Sequence, residues 1–421
     1  MQNDETRKTR RFGPQQMTVL RDILVPLSLL RDPATFGGRT EGDCLRGDLT
    51  VKGGRAMGLT PVAPSQTPRI LMPALVEAHC HLDKCHSIDR MKGIGGDLSA
   101  AIAAQTTDKQ HWTADDLRHR MTRGLRELAA AGCALTRSHI DWGTEPAPPL
   151  AWSVLQEAAT GFPDMTVQMA ALTSISQLAD REFCFAVASH IARHRAGVLG
   201  AFVLHHDQSD VNDGLAHVFA AADRFGLALD FHVDEGLGPY NGLEAICDAA
   251  LASRFEGPIL CGHAVSLIEH DTKTRDRIID KLLRANISVC ALPTTNLYLQ
   301  GRRYGTPRQR GLTCLRELDA AGVPIVIASD NVADAFCPVG QHDPRAALHL
   351  ACLAAHLDPP MGDWLPAITL NAARALGQDP VHMDTTPISQ LRLCTAASTA
   401  ELLATRNPLL PLHHFEKAST P

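Results

Sequence analysis

Side chains that can bind metals or transfer protons stand at the ends of apolar runs in this sequence. His79 and His81 close the first run, His232 follows the fifth and Asp330 follows the eighth. Residues two apart in a β-strand project to the same side, so His79 and His81 can chelate one ion together. A third imidazole and a carboxylate complete a set of nitrogen and oxygen ligands that suits Zn²⁺ or Fe²⁺ better than Ca²⁺ or Mg²⁺. The pattern predicts a divalent-metal site.

Each of these signals also has an ordinary structural interpretation. In a chain with twenty histidines, His79 and His81 can be surface or buried structural imidazoles, and Asp330 can cap the helix that follows it. His139 and Asp141, at the end of the second run, either hold a metal ligand in one tautomer or form a strand-end pair. The metal-site interpretation is favoured because the candidate residues coincide at four strand ends.

The elements that would position these residues alternate regularly from about residue 70 onward. Near-continuous apolar runs predict buried parallel strands, and the segments between them have helical periodicity. One helix is predicted over 115–131, where Thr113 and Asp116 have the spacing of a capping box and Gly132 is a stop signal. The predicted strands are 70–78, 133–138, 166–172, 198–204, 228–231, 258–261, 287–292 and 324–328.

Eight strand–helix units indicate an α/β fold, a closed (β/α)₈ TIM-like barrel, in which catalytic residues lie at the carboxyl ends of the strands. We predict that 70–375 forms this barrel and that 1–69 holds an N-terminal tail and a small β domain. The C-terminal segment 376–421 would complete that domain as a small β-sandwich. The polar segment 292–311 is predicted to be a loop at the active-site mouth.

Composition narrows the class of protein. The formal net charge of −6 argues against a nucleic-acid binder, and the basic run 8–11 is predicted to be a solvated tail. No run approaches the roughly 20 apolar residues of a membrane helix, and no secretory signal is recognised at the N-terminus. The twelve cysteines are scattered, which favours a reducing cytoplasm. A homo-oligomer is compatible with this composition.

The ordered strand-end motifs resemble those of the amidohydrolase superfamily, and within it the cytosine deaminase-like branch, over about residues 70–375. The matching motifs are VEAHCHLDK at 76–84, TRSHID at 136–141, HVDE at 232–235, GH at 262–263, LQGR at 299–302 and SDNV at 329–332. The resemblance implies that His79, His81, His232 and Asp330 bind metal. It also implies that Glu235 shuttles protons and that His263 polarises the attacking water or the substrate.

The resemblance further implies a single metal and a class of reaction. Two-metal members use a carboxylated lysine near the fourth strand, and no lysine occurs here between Lys109 and Lys273. The expected reaction is hydrolytic deamination of an amino-substituted nitrogen heterocycle, such as a pyrimidine, a pterin or a triazine. Hydrolysis of an N-alkylamine or a cyclic amide on a related ring is the alternative. A barrel that only binds or assembles remains a third interpretation.

Substrate contacts are predicted at Ser174, Asn331 and Phe336. Cytosine deaminases of this branch carry a glutamine after the third strand, and the alignment puts Ser174 at that position. A serine lacks the paired donor and acceptor of an amide, so cytosine is expected to be a poor substrate. An alignment slip of one or two residues would instead make Gln177 the amide.

Overall fold

The computed structural model describes residues 17–63, 67–203, 208–303, 305–384, 386–405 and 407–412. The basic run 8–11 therefore lies outside the described residues. The chain divides into two compact units, a larger one of Ala74–Pro380 and a smaller one of Met1–Pro73 with Val381–Pro421. No helix in the described ranges is both long and apolar enough to cross a membrane.

The strands of the described chain form two sheets, one in each unit. In chain order they are β1 (Met17–Pro26), β2 (Arg39–Glu41), β3 (Cys44–Lys52), β4 (Arg55–Thr60), β5 (Arg69–Pro73), β6 (Leu75–Cys80), β7 (Cys133–Asp141), β8 (Thr166–Ser174), β9 (Gly197–Val203), β10 (Leu229–Val233), β11 (Ile259–His263), β12 (Ile287–Ala291), β13 (Ile325–Ile327), β14 (Leu391–Thr395) and β15 (Leu410–Pro411).

The larger unit is a barrel of parallel strands. Within the described residues, β6 to β13 form an eight-stranded sheet in sequential order, and every neighbouring pair is parallel. The two edges meet where Asp330 pairs with Cys80 and donates its backbone N–H to the carbonyl of His79 at 2.9 Å. Buried apolar side chains of β6, β11 and β13 pack against the helix Leu370–Ala375. The predicted α/β barrel is confirmed.

The first predicted strand, 70–78, is wrong as a single element. Residues Arg69–Pro73 form β5, which pairs with β1 and β14 in the smaller unit, whereas Leu75–Cys80 forms β6 and pairs with β7. Pro73 has no N–H to donate, so it ends the first ladder. The other predicted strands each overlap an observed strand, although Leu204, the last residue of the fourth, lies outside the described residues.

The smaller unit contains a separate, mainly antiparallel sheet. In the part of the chain that the structure describes, its order is β15-β14-β5-β1-β3-β2, and β4 also pairs with β3. One edge of β3 pairs with β1 along its whole length. The other edge is shared, because β2 pairs with Cys44–Arg46 and β4 with Asp48–Lys52. Both terminal segments thus contribute strands to one sheet.

The α-helices of the described chain lie in both units. They begin with α1 (Pro33–Phe36) in the smaller unit and continue with α2 (Leu98–Asp108), α3 (Ala114–Ala131), α4 (Leu150–Ala159), α5 (Ile175–Leu178), α6 (Arg181–Ile191), α7 (Gln208–Phe225), α8 (Gly242–Ser253), α9 (Thr272–Arg284), α10 (Pro293–Leu299), α11 (Leu315–Ala321), α12 (Pro344–Ala355), α13 (Leu370–Ala375) and α14 (Thr399–Ala404).

Two of these helices test the sequence analysis directly. The predicted helix 115–131 is α3. Thr113 accepts a hydrogen bond from the N–H of Asp116, and Gly132 ends the helix with φ 98°. The segment 292–311 is not a loop throughout, because α10 occupies its first part. Pro293 at the first helical position favours that start, since its φ is already helical.

Candidate active site

Three imidazoles and one carboxylate converge at the carboxyl ends of β6, β10 and β13. The Nε2 atom of His232 lies 3.0 Å from Nε2 of His79 and 3.1 Å from Nε2 of His81. Oδ1 of Asp330 lies 3.6 Å from Nε2 of His79 and 3.3 Å from Nε2 of His81. All four side chains are buried. The predicted ligand atoms therefore face one small volume.

The electrostatic state of these groups fits a divalent cation. Burial lowers the pKa of His79 and His232 well below the ordinary value and lowers that of His81 to about 4. The imidazoles are therefore neutral at pH 7, as metal ligands must be. Burial alone would raise the pKa of Asp330, but the bond to His81 and the nearby His263 lower it, so this carboxyl is ionised. Three neutral nitrogens and an anionic oxygen match a Zn²⁺ or Fe²⁺ donor set.

Glu235 and His263 lie beside this group. Oε2 of Glu235 is 3.7 Å from Nε2 of His263, and both residues are buried. Burial raises the pKa of Glu235, partly offset by His263. The Oδ1 atom of Asn296, on α10, accepts a hydrogen bond from Nδ1 of His263 at 2.9 Å. That bond leaves Nε2 of His263 facing Glu235 and fixes the orientation of the ring.

A buried ion-pair network lies next to the predicted metal ligands. The ring of His139 lies 4.0 Å from that of His79, centroid to centroid, and its Nε2 is 3.0 Å from Oδ1 of Asp230. Arg137 donates to Oδ2 of Asp230 at 2.7 Å and to Oε1 of Gln168 at 2.7 Å. His139 thus packs against His79 and lies beside Asp230. Sequence analysis missed Arg137 and Asp230, although an arginine inside a buried strand signals an anionic partner.

Asp141, the other polar residue at the end of β7, pairs with two lysines. Nζ of Lys84 lies 3.0 Å from its Oδ1, and Nζ of Lys109 lies 2.5 Å from its Oδ2. Burial alone would raise the pKa of Asp141, but the two ammonium groups hold it well below the ordinary value. The carboxylate of Asp141 is therefore paired with the two lysines and does not orient a predicted metal ligand.

A cavity of about 310 Å³ opens beside the site. It is lined by Lys84, Leu98, Ile102, Gln105, Thr106, Lys109, Asp141, Gly143, Thr144, Leu172, Gln177, Phe202, His232, Glu235 and Phe336. His232 and Glu235 join it to the cluster described above. The lining is mainly apolar with a few polar groups, as in sites for small organic molecules.

The three predicted substrate residues are placed differently. Phe336 lines the cavity, whereas among the described residues neither Ser174 nor Asn331 does. Asn331 instead donates from Nδ2 to Oδ2 of Asp334 at 2.7 Å. Ser174 is half-buried at the end of β8, and Gln177, one turn further on, does line the cavity. This placement favours the shifted alignment over the one that put Ser174 at the glutamine position.

Comparison with known proteins agrees with the fold. The sequence matches the Amidohydrolase family over residues 89–381. It is also 33% identical over 355 residues to a pterin deaminase from Rhizobium rhizogenes (strain K84), covering 82% of this chain and 80% of that protein. The chain belongs to the amidohydrolase family. It is a hydrolase of carbon–nitrogen bonds other than peptide bonds.

Two solved structures resemble this amidohydrolase along nearly its whole length. The 5-methylcytosine deaminase of Klebsiella pneumoniae has a TM-score of 0.75 at 22% identity, with 92% of this chain and 94% of that chain covered. The N-isopropylammelide isopropylaminohydrolase of Burkholderia multivorans has a TM-score of 0.69 at 20% identity, with 93% and 96% covered. At these identities the likeness establishes the fold.

Proposed function

We propose that this amidohydrolase is a metal-dependent deaminase that hydrolyses the exocyclic amine of a nitrogen heterocycle, with a pterin as the first candidate. The observation that carries the proposal is the convergence of His79, His81, His232 and Asp330, with 3.0–3.6 Å between neighbouring ligand atoms. Glu235 lines the cavity together with His232, and its Oε2 lies 3.7 Å from Nε2 of His263. The related pterin deaminase supports the choice of ring.

His79, His81, His232 and Asp330 would hold one divalent ion, Zn²⁺ or Fe²⁺. Such an ion lowers the pKa of a bound water from about 15.7 toward about 7 and so supplies a nucleophile at neutral pH. A single ion is proposed because the chain has no lysine between Lys109 and Lys273 to bridge a pair.

The protein groups divide the proton transfers between them. The ionised carboxylate of Asp330 accepts a proton from the attacking water. Glu235, whose pKa is raised by burial, carries a proton to the ring nitrogen beside the reacting carbon and later to the departing amine. His263, held by Asn296, polarises the water or the substrate. In the net reaction the ring C–NH₂ and water give ring C=O and ammonia.

A substrate panel tests this function. The panel contains pterin, cytosine, an amino-triazine and an N-alkylamino-triazine, and the assay measures ammonia and alkylamine separately. We expect ammonia from pterin. Release of alkylamine alone would favour the alternative reaction, and no turnover of any compound by metal-loaded protein would contradict the proposal. For cytosine we expect kcat/KM below the roughly 10⁴ M⁻¹s⁻¹ at the lower end for efficient enzymes.

The proposed compartment is the cytoplasm. Each of the twelve cysteines is a free thiol in the described structure, and reduced cysteines are usual in reducing compartments. Thiol titration of freshly isolated protein, unfolded in denaturant, should count all twelve without a reductant.

A further inference from the structure

Gln105 on α2 presents a buried amide to the cavity. Its side chain lines the cavity together with Glu235, and the residue is only 2% exposed. Neither Nε2 nor Oε1 has a hydrogen-bond partner among the described residues. Most buried side-chain polar atoms in folded proteins have a partner, so an amide with both atoms unpaired calls for an explanation.

We propose that Gln105 binds the substrate ring through an edge that carries a hydrogen-bond donor and an acceptor side by side. This inference rests on the proposed function and narrows its substrate class to amino-heterocycles with such an edge, as in 2-amino-4-oxo rings, whose N–H and C=O are adjacent. A glutamine amide offers one donor group and one acceptor group in one plane, which matches that edge. An amide that the protein does not fix can turn over, so it accepts the pair in either order.

The helix that carries Gln105 is held firmly. Asp97 caps its first turn by accepting from the N–H of Ala100 at 3.0 Å. At its other end Asp108 accepts from Arg90 and from the indole N–H of Trp112 at 2.9 Å. A binding group on a fixed element loses little freedom when the ligand arrives. The placement of Gln105 is therefore suited to binding a rigid ring.

Two other amides at or near the cavity each donate a hydrogen bond from the amide nitrogen. Gln177 donates from Nε2 to the carbonyl of Gly143 at 3.2 Å, and Asn331 donates to Asp334 at 2.7 Å. Ser174 does not line the cavity within the described residues. Among the described lining residues, Gln105 is the amide with neither Nε2 nor Oε1 engaged, so both atoms are available to the ring.

The test compares Gln105→Met with wild type on two substrates, pterin and 2-aminopteridine, which lacks the oxo group and its neighbouring N–H. We expect kcat/KM for pterin to fall about 10- to 100-fold, as the loss of a hydrogen-bonded pair predicts, and that for 2-aminopteridine to change less than about threefold. Thr107→Val is the matched control. Thr107 is exposed on the same helix, donates from its hydroxyl to the carbonyl of Ala103 at 3.0 Å and does not line the cavity in the described structure, so both rates should stay unchanged.

Thermal unfolding separates binding from a structural role. Methionine replaces an unpaired buried amide, so the melting temperature of Gln105→Met should be equal to or above that of wild type. Equal losses of kcat/KM on both substrates, whether or not the melting temperature falls, would overturn the proposal.

A binding measurement keeps the two proposals distinguishable. 2,4-Dioxopteridine carries the paired edge and no amine to remove, and its affinity can be measured whether or not the protein deaminates anything. A loss of about tenfold or more in Gln105→Met supports the role of Gln105 even if no substrate of the panel turns over. Unchanged affinity, or no binding to wild type, overturns it.

Discussion

Glu235 differs from the other buried carboxyl groups near the barrel mouth. Burial raises the pKa of Glu77 to about 8 and that of Asp334 to about 7. These groups accept backbone N–H bonds, Glu77 from His79 and Ser329 and Asp334 from Phe336 and Cys337. Burial also raises the pKa of Glu235, but the other influences on that pKa are the charges of nearby residues and not hydrogen bonds. The Glu235 carboxyl group, which lines the cavity, is therefore not held by a structural hydrogen bond from the described residues.

We predict that Glu235→Gln keeps the fold and the bound metal but loses about 10²- to 10⁴-fold in kcat, the usual contribution of general acid–base catalysis. The amide keeps the shape and removes the titrating proton. Steady-state kinetics with elemental analysis on the same sample checks this. Asp280→Asn on the exposed face of α9 is the control. A loss below tenfold would remove Glu235 from the mechanism.

His86 provides a test by pH. Its imidazole lies 3.0 Å from Oε2 of Glu127, and burial, opposed by Glu127, lowers its pKa from 6.5 to about 4. The unfolded chain then binds more protons than the folded one between these pH values, so this residue reduces stability as the pH falls from 6.5 to 4.

We therefore expect the melting temperature of wild type to exceed that of His86→Gln at pH 7.5 and the difference to shrink at pH 5. Thermal unfolding at the two pH values measures it, and Asp280→Asn should show no such change. A difference that grows on acidification would mean that His86 is protonated beside Glu127.

At the scale of elements, the sequence predicted most strands because buried parallel strands are continuous apolar runs bounded by helices. It failed where two sheets share one apolar run, since hydrophobicity alone does not separate β5 from β6. Pro73 was the available signal. The strand predicted over 133–138 also ended short of the observed β7, because Ile140 and Asp141 continue the ladder through backbone bonds to β8. Those bonds do not depend on side-chain polarity.

The proposed metal ligands could be picked out from the sequence because they lie next to strand ends in a recognisable order. Gln105 could not, since its importance comes from the absence of partners within a folded cavity. Likewise Arg137 and Asp230 lie far apart in sequence and meet only because β7 and β10 face the same interior.

The Arg137–Asp230 pair gives a prediction for this interior. Both side chains are fully buried, 0% exposed, so Asp230→Asn leaves an uncompensated guanidinium and should lower the free energy of unfolding by about 3–5 kcal/mol. Urea unfolding of the metal-free protein checks this. Asp280→Asn removes an exposed ion pair on α9 and should cost less than about 1 kcal/mol. Equal effects of the two changes would contradict the account.

For the molecule as a whole, the proposed activity depends on one metal centre in the barrel. The fold and the family membership set the type of enzyme, while a single ion is proposed because no lysine lies between Lys109 and Lys273. A second cluster, His86, Glu127 and His342, also has ligand-type atoms close together. Its bonds at 2.9 and 3.0 Å are accounted for by imidazoles donating to Glu127, so activity should not depend on it.

The most direct test titrates chelator-treated protein with Zn²⁺ or Fe²⁺ while ammonia release from the best substrate of the panel is measured. We predict no turnover without metal, a linear rise in the rate of ammonia release as metal is added, and a plateau at one equivalent per chain. His79→Ala should stay inactive throughout. A plateau at two equivalents, or full turnover by metal-free protein, would contradict a single-metal amidohydrolase.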